Sequence, residues 1–443
     1  MRPEAGKIDA KLGTFDTAMV VVSLVVGIGI FRTPAIVARD AGTRDLFLLA
    51  WGIGGLVSLV GALVFAEIGS RHPRAGGYYR VVADCYHPAL AFSLNWAQTL
   101  MQGAGAAGVA FIGAEYLVGL LLPERRGGSR VLLVALALML VLLVLNGLGI
   151  RVGAGTQNVL SMLKIAMIVG LAVAALALAP KASGTSVVPT AAPAGLAAAL
   201  IPVFYAYGGY HMTMNLGADV KNARRRFPLA VTAGMLTVVG LYLVLNFAYV
   251  RTLGAGGVAE SKLVAAALAR ASLGAAGEKV VSALIFLSAA GFVNATVLQM
   301  PRSYYAMGED GVLPRVFLRV DPRTQVSTAG LLLFGVTMLV PAFLLGSFEK
   351  LLNYVIFTDM LTLAVVSSTL FALRGRGEGG EGTFRIPGFP VLPALYVLVL
   401  AAVAAHVAVT EPRLALAGTA ILVTGWPLFL LGRRLSGCPA KPA

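Results

Sequence analysis

Long apolar runs separated by short polar stretches dominate this sequence, and the lengths of the runs predict what they form. A helix rises about 1.5 Å per residue, so about 20 mostly apolar residues cross a hydrocarbon layer of about 30 Å. Runs of this kind lie at 15–40, 47–70, 88–122, 131–150, 157–179, 195–218, 228–250, 279–307, 328–346, 350–373, 391–409 and 413–432. Lipid offers no partner to backbone N–H and C=O groups, so the spans must be helices. The predicted fold is an all-α polytopic membrane protein with about 12 transmembrane helices.

Two runs are interrupted. The first contains VGIGIFRTP and the sixth FYAYGGYH, and each opens a group of five runs. Glycine interruptions at matching positions of two halves are the sequence sign of an inverted repeat whose broken helices meet near the bilayer midplane. The organisation expected is an N-terminal segment 1–14, a first five-helix repeat 15–179, a second 195–373, two further helices within 391–432, and a C-terminal segment 433–443.

Composition agrees with the pattern. Of the 443 residues 58% are hydrophobic and 12% charged, about half the charged share of an ordinary soluble domain. The net charge of +15 raises nucleic acid as a partner, but the lysines and arginines fall in clusters between apolar runs rather than along one polar face. They suit membrane topology. With the N-terminus inside, roughly 21 basic residues fall on the cytoplasmic side and about 12 outside, which predicts that both ends are cytoplasmic. The inside clusters are Arg71, Arg74 and Arg80; Lys221, Arg224, Arg225 and Arg226; Arg315, Arg319 and Arg323; and Arg433 with Arg434. The first run lacks a small-residue cleavage pattern and is expected to be retained as a span rather than removed as a signal. Cys85 and Cys438 are the only cysteines, so no CxxC metal or redox motif exists and a disulfide framework is not expected.

Chemistry concentrates at the interruptions. Gly27 and Gly29 each weaken a helix by about 1 kcal/mol relative to alanine, and they let another group approach the backbone closely. An unwound turn exposes N–H groups on one side and carbonyls on the other, and a zwitterionic amino acid complements both. The alternative is tight helix packing through small residues; Gly208 and Gly209, placed likewise in the sixth run, favour the broken-helix reading. Lys164 lies within the fifth run, in QNVLSMLKIAMIVG, where an ammonium costs at least about 2.5 kcal/mol unless acceptors or water meet it. Either it bonds to carbonyls freed at Gly27 to Gly29, in the place of a coupling cation, and serves as a titratable proton carrier, or it snorkels to the cytoplasmic surface. Tyr205, Tyr207 and Tyr210 crowd the second interruption, as packing or as a lid over a bound substrate. Arg32, Glu67, Glu115, Asn294 and Asp359 are the other polar residues within runs. Glu67 reads as structural, Glu115 as a helix partner or a cation-binding acid, and Arg32, Asn294 and Asp359 as candidates without an assigned role.

Taken together, these segments resemble the amino acid-polyamine-organocation (APC) superfamily, and within it the L-type amino acid transporters and their bacterial relatives. The resemblance runs from about Phe15 to Arg434. GIGIF at 27–31, FAEIGSRHPRAGGYY at 65–79, YAYGGYHMTMNLGADVKNARRRFP at 205–228 and VLQMPRSYYAMGEDGVLP at 297–314 carry it. It implies a five-plus-five inverted repeat with an amino acid held between the broken spans. By motif position, Gly27, Ile28 and Gly29 match the backbone that holds the substrate carboxylate, and Tyr205, Ala206, Tyr207, Gly208 and Gly209 the segment that holds its amine. Tyr205 falls at the gating aromatic. Lys164 matches a lysine of the fifth span that bonds to the first, which argues against sodium at that site. Arg32, Glu115 and Asn294 are left as possible specificity residues. Three positions depart from the pattern: Tyr210 stands for the usual Trp, Ala218 and Asp219 for a Glu pair, and Arg32 where a neutral residue is commoner. The segment LPERRGGSR has no cysteine, so the disulfide-linked ancillary subunit of animal L-type members is not expected.

The function expected is secondary active amino acid transport by alternating access, through proton symport or amino acid exchange, in the cell membrane. Partners would be the amino acid, protons and the lipid bilayer; no nucleic acid, cofactor or metal is expected. No enzymatic motif appears, and His72, His87, His211 and His406 lack ligand spacing. Polyamine or other organic amine transport is the alternative within the class, with Glu115 and Asp359 as the deep acids it would need. A non-transporting nutrient sensor is the alternative outside it, though such proteins commonly signal through soluble extensions, and only about a dozen residues precede the first run.

Overall fold

The residues between the apolar runs act as helix starts and stops. Asp16 accepts the Gly13 N–H at 2.8 Å at the head of the first helix, and Thr43 accepts the Leu46 N–H at 3.3 Å at the head of the third. A computed structural model of the chain describes residues 8–121, 128–182, 195–261, 263–345 and 349–436. The α-helices are α1 Thr14–Val25, α2 Gly29–Ala41, α3 Arg44–Arg71, α4 Gly77–Cys85, α5 Pro88–Leu121, α6 Gly128–Gly147, α7 Ile150–Leu178 and α8 Leu196–Ala206. They continue with α9 Ala223–Glu260, α10 Val264–Glu309, α11 Thr328–Leu345, α12 Glu349–Gly375, α13 Val391–Thr410 and α14 Pro412–Ser436. Cys438 and the residues 122–127 of the LPERRGGSR segment lie outside the described residues.

The protein is an all-α, multi-pass integral membrane protein. Among the described residues nine helices are long and apolar enough to cross a membrane, and α1 with α2 forms a further crossing bent by 43°. The shorter apolar stretch Thr328–Phe343 and the interrupted segment that begins with α8 account for the remaining predicted runs. Several boundaries differ from those read off the apolar runs. Helix α6 stops at Gly147, and α7 starts at Ile150 rather than 157, because Gln157 is buried with hydrogen-bond partners inside the bundle and so does not end the helix. Helices α9 and α10 extend past their runs to Glu260 and back to Val264, turning at Gly254 and Gly274, whose φ of 71° and 70° suit glycine.

Close helix contact depends on small residues. Along α3, a methyl group on Gly54 would lie 2.2 Å from Val203, and on Gly61 2.2 Å from the Tyr210 hydroxyl, so the interrupted segment presses directly on the α3 backbone. The buried Glu67 carboxylate accepts from Arg374 at 2.8 and 2.7 Å, from Arg71 at 2.7 Å and from the Ile386 N–H at 2.7 Å, which ties α3 to α12 and to the chain entering α13. Such a closed set is the condition for keeping an ionised acid out of water.

Ile8–Gly13 runs as a strap across one face of the bundle. Leu12 donates to the Asp219 carbonyl at 2.8 Å, Lys221 donates to the Leu12 carbonyl at 2.9 Å, and Asp9 donates to the Gln325 side chain at 2.8 Å. Beneath that strap Arg302 of α10 grips the buried Asp219 carboxylate with two bonds of 2.9 and 2.7 Å, and Arg80 of α4 bonds to Glu309 and Asp310. Cys85, at the end of α4, is buried, and burial pushes its thiol up to about 11, so it is inert as a nucleophile at neutral pH.

Candidate functional site

Helix α1 ends at Val25 and α2 starts at Gly29, leaving Val26, Gly27 and Ile28 outside either helix. The first-turn N–H groups of α2 have no acceptor within their own helix, and the last carbonyls of α1 have no donor within theirs. The opposite interruption follows the same logic. Helix α8 ends at Ala206, and a 3₁₀ helix over Tyr210–Asn215 resumes after Gly208 and Gly209. Gly209 has a φ of 106°, and a Cβ there would sit 2.4 Å from the Leu24 carbonyl oxygen. The two breaks therefore touch: Gly29 faces Ala206 across 3.4 Å, measured from an added Cβ to its Cα.

Lys164 reaches this junction. It is 2% exposed, and its ammonium donates to the Val26 carbonyl and, at 3.4 Å, to the Ser23 hydroxyl. Its carbonyl partner is thus one residue before the glycines expected from sequence, and the side chain points into the break rather than snorkelling to a surface. Ser23 in turn shares a hydrogen bond of 2.8 Å with Ser161, which donates to the Met19 carbonyl at 2.9 Å. Two serines and one lysine of α7 and α1 thereby hold the end of α1 against α7.

The three tyrosines separate by role. The Tyr207 side chain is fully buried, donates to the Trp51 carbonyl at 3.3 Å and packs on Trp51 and Tyr242 with ring centroids 5.7 and 4.9 Å away. Tyr210 is 3% exposed, shares a 2.6 Å hydrogen bond with Tyr396 and meets Phe65 edge-on. Both side chains are packing. Tyr205, expected from the resemblance to be the gating aromatic, stays partly exposed beside the break.

Of the other sequence candidates, Asn294 is turned away from a ligand role. Its amide donates to the Gly153 carbonyl at 3.1 Å and to Gln157 at 2.9 Å, and its oxygen accepts from Asn146 at 2.7 Å. It ties α10 to α6 and α7 instead of offering a specificity contact. Arg32 and Glu115 are exposed residues that share the neighbourhood of Tyr116. Ile28 is buried, while Gly29 and Gly208 are partly exposed.

Comparison with known proteins gives the family of the chain. The pattern of a family described as amino acid permease matches residues 12–428. The chain belongs to that family. It is similar to the serine/threonine exchanger SteT of Bacillus subtilis, at 27% identity over 90% of this chain and 91% of that one. It is also similar to the human cystine/glutamate transporter, at 25% over 93% of this chain and 83% of that one. The human large neutral amino acids transporter small subunit 2 is 26% identical over 97% of this chain and 83% of its own length. An amino acid permease of the APC superfamily is a transporter and not an enzyme.

Within this permease sequence reasoning missed one residue at the junction. Tyr242 of α9 is fully buried, and its hydroxyl lies 3.1 Å from the Val25 carbonyl and 3.2 Å from the Ala206 carbonyl, the last carbonyls of α1 and α8. One donor thus serves both broken helices. The sequence GLYLVLNFAYV reads as an ordinary apolar span, and nothing in it marks Tyr242. Replacing Tyr242 with Phe leaves both carbonyls without that donor, a loss of about 1–3 kcal/mol. Uptake in proteoliposomes should fall about tenfold with little change in the detergent-solubilised yield; an undiminished rate would show that the bridge is dispensable.

Proposed function

We propose that this permease is an obligatory amino acid exchanger that binds its substrate between the two breaks and works by alternating access. Residues 15–179 and 195–373 form the two inverted five-helix repeats, and the helices of 391–432 stand outside them. The substrate carboxylate meets Gly27, Ile28 and Gly29 at the N-terminal end of α2, where free N–H groups and the helix dipole favour an anion. The amine meets the backbone of Tyr205, Ala206, Tyr207, Gly208 and Gly209 at the C-terminal end of α8, and Tyr205 closes over it.

The observation that carries the reading is the Lys164 ammonium on the Val26 carbonyl. A fixed cation at the end of α1 takes the place a coupling sodium ion would need, so no sodium gradient drives the cycle. The name of the serine/threonine exchanger supports exchange over symport. Both termini face the cytoplasm of a cell membrane, which puts the strapped face inside. Opening that face breaks the strap at Leu12 and the Arg302–Asp219 pair, while the opposite gate closes. The chain works without a disulfide-linked subunit.

Counterflow in proteoliposomes tests this. Labelled amino acid inside should leave only when unlabelled amino acid is present outside, with no response to a sodium gradient. Net accumulation driven by a pH gradient into empty vesicles would replace exchange with proton symport.

A further inference from the structure

Among the described residues, a carboxylate with no lysine or arginine in ion-pair reach stands beside the second break. Asp359 belongs to α12 and is the third residue of its apolar stretch Phe357–Gly375. Its side chain is 15% exposed although its neighbours are closed in. Gln98 of α5 donates to it at 2.8 Å. Among the described residues the basic group within ion-pair reach is His211, at 3.9 Å, three residues past Gly208. That imidazole is 2% exposed, makes no hydrogen bond through either ring nitrogen, and packs on Phe65, Tyr78 and Tyr210 with centroids 5.7, 6.4 and 6.1 Å away.

We propose that Asp359 selects the side chain of the transported amino acid, taking substrates whose side chains end in a cation and rejecting those that end in a carboxylate. This rests on the exchange site proposed above and adds its substrate class. An acid within a membrane-spanning helix is costly unless a partner neutralises it, and a neutral amide with an imidazole 3.9 Å away does that incompletely. The remaining exposure of Asp359 beside His211, on the 3₁₀ segment that follows the second break, leaves that neutralisation to a visiting group. The walls suit one sign only. Tyrosine faces attract cations, Gln98 already donates to the carboxylate, and an anionic side chain would meet Asp359 as a like charge. Glu67 and Asp219 are the contrasting cases, since each buried acid has an arginine bound to it.

The experiment compares lysine, norleucine, serine and glutamate as external substrates for exchange by the reconstituted full chain, with Asp359 intact and as Asp359→Asn. The intact protein should take lysine in preference to norleucine and exclude glutamate. Asp359→Asn should raise the ratio of the lysine KM to the norleucine KM about tenfold or more, the range of one charged hydrogen bond. Exchange of norleucine or of serine without lysine exchange in the intact protein would overturn this inference and leave the exchange reading standing; no exchange with any of the standard amino acids would instead remove that reading. Equal loss of both substrates in Asp359→Asn would reduce Asp359 to a structural residue. Should Asp359→Asn fail to fold, Asp359→Glu decides the matter: retained selection of cations over glutamate supports the proposal, and its disappearance overturns it.

Discussion

Replacing Lys164 with Ala or Gln is expected to reduce amino acid exchange about tenfold to a hundredfold. The ammonium holds the Val26 carbonyl and the Ser23 hydroxyl inside the bundle, and a hydrogen bond from a charged donor contributes about 1.5–3 kcal/mol. Removing it leaves a carbonyl at the end of α1 without its donor, in a place where neither water nor lipid supplies one readily. The loss should appear in the rate of counterflow, because the interaction sets the position of α1 at the first break. Lys164→Gln retains a donor but not the charge, so it should fall between Ala and the intact chain. Unchanged rates for both variants, at every pH tested, would remove Lys164 from the mechanism.

Gly209→Ala should abolish exchange. At a φ of 106° a side chain costs about 1–2 kcal/mol, and the added methyl would lie 2.4 Å from the Leu24 carbonyl oxygen, a backbone atom that cannot rotate aside. Overpacking adds about 1–3 kcal/mol, so the junction of the two breaks either shifts or fails to form. The expected outcome is loss of exchange together with a lower yield of monodisperse protein by size-exclusion chromatography. Gly240→Ala is the control: an added methyl on that α9 residue meets no atom within 4 Å, and both measurements should stay at the level of the unaltered chain. Equal behaviour of the two variants would mean that the conformation at Gly209 is not required.

The difference between these glycines was only partly legible in the sequence. The pair at 208 and 209 stands out as an interruption of an apolar run, and the break was expected there. Which of the two takes a left-handed conformation depends on where α1 lies, since it is the Leu24 carbonyl that closes the space. Lys164 behaves in the same way. Its place within an apolar run announces a functional or snorkelling residue, yet the choice between them follows from the packing of α7 on α1, which brings together residues 138 apart. Asn294 shows the opposite failure. A polar residue in a span invites a ligand role, but Asn146, Gln157 and the Gly153 carbonyl already satisfy its amide.

Tyr242 and Arg302 had no usable signal, because a tyrosine in an apolar run and an arginine near a span end are both common in membrane proteins. Their importance comes from partners on other helices: the two break carbonyls for Tyr242, and Asp219, 83 residues away, for Arg302. Asp359 was visible as a deep acid, whereas its neighbours Gln98 and His211 were not, the bond to Gln98 spanning 261 positions.

The sequence by itself determined the membrane class, the helical fold, the number of apolar runs and the two breaks. Those features follow from local quantities: the length of an apolar run against the thickness of a bilayer, and the weakness of glycine within a helix. Only the tertiary structure decided which polar groups meet inside the bundle. A buried donor is placed by the relative rotation and translation of whole helices, and apolar runs of similar composition carry almost no information about either.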